Sequence, residues 1–302
     1  MKKVSLQFYF LRYHIKEYFY DVTTSLISWI SVGLTIAVSI MALLPNPASQ
    51  NLRLFFDYIF ASPWWIAILA LIILIALIVN WPKMRATYHD PRTNFKIIIE
   101  CCDIFKQEGL KVIHSVDTFD SELNTIISPN SLHGKFLLLA KEKNIDINKQ
   151  IEQNTQKLSY TIDADLPQNK KRFALGSLCP INLAGNDYCL ASFTHLQSDG
   201  SIKITEKEYI DFLLNLWNNL AEPTIKQDIV NVAVMGNKFV DLPADYSTEQ
   251  KIDLMLQTFF VASRQKTCCK TLRICVHENN ATEIDFAHYN TIIEHLSKRP
   301  VL

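Results

Sequence analysis

The chain has 302 residues, of which 30 are Lys or Arg and 30 are Asp or Glu, so its formal net charge at pH 7 is zero. This balance argues against nucleic acid as a partner, because proteins that bind nucleic acid carry an excess of basic side chains. The seven cysteines are odd in number and form no Cys-x-x-Cys pair, so they indicate neither a disulfide framework nor a zinc site.

Two apolar runs near the N-terminus, at residues 25–45 and 61–81, contain no Asp, Glu, Lys or Arg. Each has about 20 residues, the length that crosses a hydrocarbon layer of about 30 Å. We therefore predict an all-α hairpin of two transmembrane helices within residues 1–90. A soluble domain is predicted to follow at residues 91–302.

Basic residues surround this pair of runs on both sides, whereas the connecting loop has only Arg53. The positive-inside rule thus predicts a two-pass protein with both termini and the following domain in the cytoplasm. A cleaved signal peptide is the competing interpretation. More than 20 residues precede the first run, however, and that run is too long for an h-region.

The segment at residues 4–21 is rich in aromatic side chains with Lys and Arg between them. Two interpretations stay open for it. It forms an amphipathic helix in the headgroup layer, or it forms a helix that packs against the soluble domain.

The sequence after residue 90 alternates between strand-like and helix-like stretches, which is typical of an α/β domain. Strands are predicted at residues 95–101, 110–116, 188–193, 229–235 and 271–276. Helices are predicted at residues 131–143, 147–158, 205–221 and 247–264. Continuous apolar runs in the strands indicate a sheet covered by helices on both faces.

Polar and glycine residues follow the predicted strands, and three of the seven glycines, Gly134, Gly176 and Gly236, lie in these segments. Glycine lets the backbone approach a ligand closely, and helix N-termini offer free N–H groups to anions. The carboxyl ends of strands in open α/β sheets are the usual ligand site. The pattern predicts a phosphate-bearing small molecule as the ligand.

Three segments of the chain, at residues 102–105, 112–121 and 126–134, resemble the macro domain of Thoeris anti-phage effectors. Later segments at residues 173–177, 209–217 and 235–237 are similar to its remaining blocks. Two membrane spans before such a domain are the layout of the transmembrane-macro effectors of this defence system. The resemblance implies a macro-domain-like α/β/α fold with a mixed central sheet.

The resemblance also implies a function. A partner TIR-domain enzyme would make an ADP-ribose-derived signal from NAD, with histidine-linked ADP-ribose as its form, and the macro domain would bind that signal without any cofactor. Binding would cause homo-oligomerisation in the lipid of the bacterial inner membrane, and then membrane disruption and cell death or growth arrest. Ser28, Ser31, Thr35 and Ser39 recur at helical spacing in the first run, where small hydroxyl residues favour helix association.

The resemblance assigns ligand contacts to individual residues. Asp103 matches the aspartate that reads the adenine amino group, and Ile104 supplies the adjacent N–H. Ile126, Ile127 and Ser128 match the first phosphate loop, with Ser131 at the start of the next helix. The second phosphate and ribose loop corresponds to Met235, Gly236, Asn237, Lys238 and Phe239. Gly176 and Ser177 border the distal ribose. The ligand site also includes Asp117, Phe119 and Asp120, which follow the predicted strand at residues 110–116.

One departure from the family concerns catalysis. Asp117 stands where hydrolytic macro domains use Asn to position a water, which favours binding without turnover. A membrane-anchored hydrolase of ADP-ribose derivatives and a tethered interaction module are the alternatives. The alternative role of Asp103 is that of a turn residue without a ligand. The alternative role of Asp117 and Asp120 is to form Asx turns.

Three other polar features have structural interpretations. His133 is interpreted as a packed or hydrogen-bonded histidine, and His114 as a residue buried in a strand. The run Lys170, Lys171 and Arg172 is interpreted as a solvated loop.

Overall fold

A computed structural model describes residues 15–43, 50, 54, 57–58, 64–81, 84–90, 95–236, 246–264 and 266–298. The chain divides into two compact units, residues 1–83 and 84–302. The first unit contains the helices α1 (Ile15–Leu43) and α2 (Trp64–Val79).

Helix α1 begins well before the first apolar run, because no Gly or Pro separates residues 15–24 from that run. From Ile15 onward the aromatic segment is part of α1. Tyr18 and Val22 are buried together with Ala76 of α2. The Tyr18 hydroxyl donates to the Leu77 carbonyl at 3.0 Å, so the start of α1 lies against the end of α2.

One helix among the described residues, Tyr18–Ile36, is long and apolar enough to cross a membrane. The apolar part of α2, Ile66–Val79, is shorter. Helix α2 has 16 residues, or about 24 Å at the α-helical rise. The two-pass arrangement therefore remains a prediction.

The second unit is built on a mixed sheet in the order β1-β2-β10-β9-β3-β7-β6, with β8 paired to β7. The five central strands run parallel, and β1 and β6 are antiparallel to their neighbours. A separate two-stranded sheet pairs β4 with β5. The strands are β1 (Arg85–Asp90), β2 (Phe95–Cys101), β3 (Leu110–Val116), β4 (Tyr160–Ile162), β5 (Lys171–Phe173), β6 (Leu178–Leu183), β7 (Asn186–Leu196), β8 (Ile202–Lys203), β9 (Ile229–Ala233) and β10 (Thr271–Val276).

Five α-helices of this unit are described, together with two 3-10 helices at Ile104–Lys106 and Glu278–Glu283. The α-helices are α3 (Leu132–Glu142), α4 (Ile147–Thr155), α5 (Glu206–Leu220), α6 (Thr248–Ser263) and α7 (Phe286–Lys298). Capping boxes at Thr205 and Ser247 begin α5 and α6, because each cap side chain and the side chain three residues later satisfy free backbone N–H groups.

Helices cover both faces of the sheet, as consecutive residues of β3 show. Ile113 belongs to the same core cluster as Phe136 of α3. His114 packs edge-on against Phe193 at 5.7 Å, and Phe193 in turn contacts Phe212 of α5 at 4.7 Å. Since successive side chains point to opposite faces of a strand, α3 and α5 lie on opposite sides. The predicted three-layer α/β/α fold is confirmed.

All five predicted strands and all four predicted helices are present, but three strands of the main sheet, β1, β6 and β8, and the β4–β5 pair were not expected. β1 reads Arg-Ala-Thr-Tyr-His-Asp and is polar because it is an outer strand of the sheet. β6 contains Pro180, which interior strands exclude and outer strands tolerate. Neither strand has the apolar alternation that predicts a half-buried strand.

Candidate functional site at the carboxyl edge of the sheet

The carboxyl ends of the five parallel strands meet at one edge of the sheet, which we call the carboxyl edge. Asp103 follows β2, Asp117 follows β3, and Gly236 follows β9. The pairing of β3 with β7 shifts register between Ser115 and Val116, a bulge beside the same edge. The topology thus brings together predicted ligand residues that are far apart in the chain.

Asp103 caps the 3-10 helix Ile104–Lys106. Its Oδ1 accepts a hydrogen bond from the Phe105 N–H at 3.1 Å, and its Oδ2 lies 3.5 Å from Lys106 Nζ. The Asp103 side chain is still 46% exposed. An ionised carboxylate has about four acceptor sites, so Asp103 can cap the helix and accept a further hydrogen bond from a ligand. Ile104, next to it, is buried.

A tight turn before α3 connects Ser128, Ser131 and Gly134. The Ser131 Oγ donates to the Ser128 carbonyl at 2.7 Å and accepts from the Gly134 N–H at 2.9 Å. A Cβ added to Gly134 would lie 2.1 Å from the Ser128 carbonyl oxygen, so only glycine fits this approach. The turn holds the N-terminus of α3 in a fixed direction, and such helix starts attract anions.

Ile126 and Ile127 attach this turn to the carboxyl edge by packing. Ile126 packs against the cluster that contains Val116 and Leu196, the last residues of β3 and β7. The Ile127 side chain is buried, and its backbone N–H donates to the Glu122 carbonyl at 3.1 Å. These contacts explain how a long connection returns to the end of β3.

The loop at residues 117–120 is largely inside the protein. Phe119 has a φ of 51° and is buried against Phe173, with ring centroids 5.2 Å apart. The Thr118 hydroxyl donates to Asp120 Oδ2 at 2.6 Å. Burial raises the pKa of Asp120, although the hydrogen bond from Thr118 opposes this effect.

Asp117 is fully buried, and its carboxylate accepts hydrogen bonds from three groups. His195 Nδ1 lies 2.7 Å from Oδ2, the Leu196 N–H donates to Oδ1 at 3.0 Å, and the Arg172 guanidinium donates to Oδ2. The other guanidinium nitrogen of Arg172 donates to Asp163 Oδ2 and to the Leu196 carbonyl, each at 2.9 Å. The Asp117 carboxylate therefore serves internal contacts.

Arg172 and His195 are the residues that sequence reasoning missed. Arg172 lies in β5 with a side chain only 21% exposed, so the interpretation of residues 170–172 as a solvated loop is wrong for this residue. His195 lies near the end of β7, and its Nε2 is 3.5 Å from Glu208 Oε1. The hydrogen bond to Asp117 raises the pKa of His195 against the opposing effect of burial.

Gly176 and Ser177 lie at the turn into β6. Gly176 has a φ of 88°, and a Cβ there would lie 2.5 Å from the Asn215 Cβ of α5. Its carbonyl accepts from Asn219 Nδ2 at 2.8 Å, and its N–H donates to the Ser192 carbonyl at 2.8 Å. Packing against α5 thus accounts for this glycine without a ligand.

The second predicted loop is described only in part. Met235 is buried, and its carbonyl accepts from the Tyr209 hydroxyl at 3.3 Å. Gly236 has a φ of 83°, in the left-handed region that favours glycine. The predictions for Asn237, Lys238 and Phe239 lie outside the described residues.

Several buried polar atoms near the ends of β3 and β7 have no hydrogen-bond partner within the described ranges. They are His133 Nε2 in the first turn of α3, His114 Nδ1, and the hydroxyls of Ser115 and Ser192, which are register partners. His133 is packed, as expected, with its ring stacked on Phe136. Burial lowers the pKa of His114 to about 4 and that of His133 to about 3, so both imidazoles are neutral near pH 7.

A surface cleft lies elsewhere, between the end of α3, the start of α4 and Ser121. Its volume is about 420 Å³, and it contains none of the predicted ligand residues. The carboxyl edge is the better candidate, because three of the predicted ligand residues, Asp103, Asp117 and Gly236, follow its strands.

Comparison with known proteins identifies the family. The family model described as Thoeris protein ThsA, Macro domain, matches residues 97–277, which is more than half of the chain. No curated protein matches the sequence. Among solved structures, the Oceanobacillus iheyensis macrodomain with ADP is similar at 12% identity, with a TM-score of 0.44 over 70% of this chain and 100% of its own.

A mutant of that macrodomain with ADPR is similar at 10% identity, with a TM-score of 0.45 over 71% of this chain and 100% of its own. Both likenesses are too distant to carry an argument about the site. The family match is sufficient by itself, and it agrees with the resemblance found in the strand-end segments: the chain belongs to the Thoeris ThsA macro-domain family.

Proposed function

We propose that this protein is a membrane effector of anti-phage defence whose macro domain binds an ADP-ribose-type signal at the carboxyl edge. The observation that carries the proposal is the difference in exposure among three carboxylates predicted to bind the ligand. Asp117 and Asp120 are buried, whereas the Asp103 side chain is 46% exposed at the end of β2. Asp103 is the carboxylate with acceptor capacity left for an adenine amino group.

Phosphate would bind beside the same edge, on the first turn of α3. The Ser131 cap begins α3 there, helix N-termini offer backbone N–H groups, and Gly236 begins the second loop. A neutral His133 in that turn adds no charge but has a ring nitrogen without a partner among the described residues. These features support a diphosphate held by backbone groups.

In this proposal the macro domain binds the signal and does not hydrolyse it. Hydrolytic macro domains use an Asn at the position of Asp117 to place a water. Here the carboxylate of Asp117 is buried and occupied by Arg172, His195 and the Leu196 N–H. It has no exposed surface with which to orient a water on a ribose.

The N-terminal unit supports the membrane part of the proposal. Large apolar side chains are exposed along both helices, among them Leu34, Ile36, Leu71 and Ile78. Exposed apolar surface of this extent needs lipid or other protein to cover it. We infer a two-pass inner-membrane protein with a cytoplasmic macro domain, a TIR-domain enzyme as the source of the signal, and histidine-linked ADP-ribose as its form. Ligand binding would then drive homo-oligomerisation.

The test is calorimetry on the full chain in detergent, with ADP-ribose and its histidine-linked derivative, alongside mass spectrometry of the ligand afterwards. The wild type should bind the signal and leave it intact. Asp103→Asn should weaken binding about tenfold, the loss expected for one charge-assisted hydrogen bond.

Asp228→Asn is the matched control. Asp228 precedes β9 at the opposite edge of the sheet and pairs there with Lys270 at 3.0 Å. Equal affinities for the two variants would remove Asp103 from the site. Steady release of ADP-ribose from the histidine-linked compound would replace the binding proposal with the hydrolase.

A further inference from the structure

The segment from β4 to β5, residues 160–173, lies on the loop that follows β3. Asn169 Nδ2 donates to the Thr118 carbonyl at 2.6 Å, and the Phe173 N–H donates to the Asp117 carbonyl at 2.9 Å. Leu166 is buried in one cluster with Val116 and Leu196. We call residues 160–173 the arm. It is attached to the backbone of the loop at residues 117–120.

Two further side chains complete this attachment. Arg172 brings a cation from the arm to Asp117, and His195 brings an imidazole from the end of β7 to the same carboxylate oxygen. Because Asp117 is fully buried, each contact acts with little screening by water. The contacts join the ends of β3 and β7 to the arm.

The loop needs such contacts to keep its conformation. Phe119 has a φ of 51°, which is unfavourable for an aromatic residue unless its surroundings hold it. Asp120 depends on the same conformation, since it accepts from Thr118 within the loop. Phe119 and Asp120 lie beside the proposed ligand site. Release of Asp117 would therefore change the positions of these two residues.

We propose that Arg172 and His195 are positioning residues that hold the loop at residues 117–120 through Asp117, and that affinity for the ligand consequently falls as pH rises. The inference rests on the proposed function and concerns regulation of the same site. Neither residue is placed in contact with the ligand.

The direction of the pH effect follows from the groups around His195. These are Asp117 at the end of β3, Arg172 of β5, Glu208 of α5, and Lys203, its register partner on β8. A protonated imidazole donates to both Asp117 and Glu208. A neutral imidazole has one N–H, so bonding to Asp117 leaves a lone pair facing Glu208. The pKa of His195 is raised by the bond to Asp117, so the proton is lost above the usual histidine range.

The test is calorimetry with ADP-ribose on the full chain in detergent, from about pH 6 to about pH 8, the range that brackets histidine titration. The diphosphate diester of ADP-ribose keeps its charge over this range. Wild-type affinity should fall severalfold with rising pH, and His195→Gln, which cannot gain the proton, should flatten the profile. His288→Gln on α7 is the matched control and should keep the wild-type slope. A wild-type slope in His195→Gln would overturn the proposal.

A second measurement separates this inference from the function on which it rests. Amide hydrogen exchange without ligand should show faster exchange at residues 117–122 in Arg172→Lys than in the wild type, with β9 unchanged. Lysine keeps the charge but cannot bridge Asp117 and Asp163 in the same planar geometry. Failure of the wild type to bind ADP-ribose would count against the proposed function alone. Unchanged exchange of this loop in both Arg172→Lys and His195→Gln would refute the positioning role.

Discussion

The His195 imidazole and the Asp117 carboxylate meet at 2.7 Å, although 78 residues separate them in the chain. Their contact joins the ends of β7 and β3, where the register between these strands shifts. An imidazole beside a fully buried carboxylate is stabilised in its protonated form, which raises the pKa of His195 above 6.5.

This pKa shift predicts a pH-dependent contribution to folding. Because the folded-state pKa is above the unfolded value, the contribution is fully present below the unfolded pKa of about 6.5 and is lost as pH rises through the folded pKa. His195→Gln should therefore lower the thermal unfolding temperature more at the acidic end of this window than at its basic end. Fluorescence-detected unfolding over that pH range measures it. A deficit independent of pH would contradict the prediction.

The two neutral histidines predict an opposite effect in acid. His114 and His133 stay unprotonated in the fold down to about pH 4 and about pH 3, whereas the unfolded chain takes up these protons below about 6.5. Stability should fall as pH decreases through this window. His133→Phe keeps an aromatic ring against Phe136 and removes the proton uptake, so its acid loss should be shallower. A wild-type acid profile in this variant would be the contrary result.

Gly134→Ala should disturb the turn before α3. The added methyl would lie 2.1 Å from the Ser128 carbonyl oxygen, a backbone atom that cannot rotate away. We expect a loss of about 1–3 kcal/mol in unfolding free energy, as for other overpacked sites, together with weaker ADP-ribose binding. Gly200→Ala is the control, because its φ of 81° strains an alanine but nothing lies within 4 Å of the added methyl. Similar binding by the two variants would exclude the turn from the site.

Helix α1, which we propose to span the membrane, gives a prediction on assembly. Thr35 Oγ1 donates to the Ser31 carbonyl, and Ser39 Oγ to the Thr35 carbonyl, each at 2.8 Å, so these hydroxyls lie along the helix without breaking it. Small side chains let membrane helices approach closely. Replacing Ser31 and Thr35 with Leu should leave signal binding intact but abolish ligand-induced cross-linking and membrane depolarisation. Depolarisation by a species that stays monomeric would refute assembly as the cause.

Local sequence patterns were sufficient to predict many of the secondary-structure elements of this protein. Uncharged runs predicted two helices near the N-terminus, and both are present. Continuous apolar stretches indicated the central strands β2 and β9, because strands buried on both faces are largely apolar. Residues that follow these strands could be predicted to meet, since parallel strands share a carboxyl edge. The strand-end segments also carried the family resemblance.

Only the tertiary structure decided what each residue at that edge does. Asp117 and Asp103 both follow strands, yet one is buried among Arg172, His195 and Leu196 while the other is exposed. Arg172 belongs to a basic run that local pattern assigns to solvent, and its partners lie 55 and 9 residues away. Burial and ion pairing depend on which distant segments pack together, and one-dimensional periodicity does not contain that information.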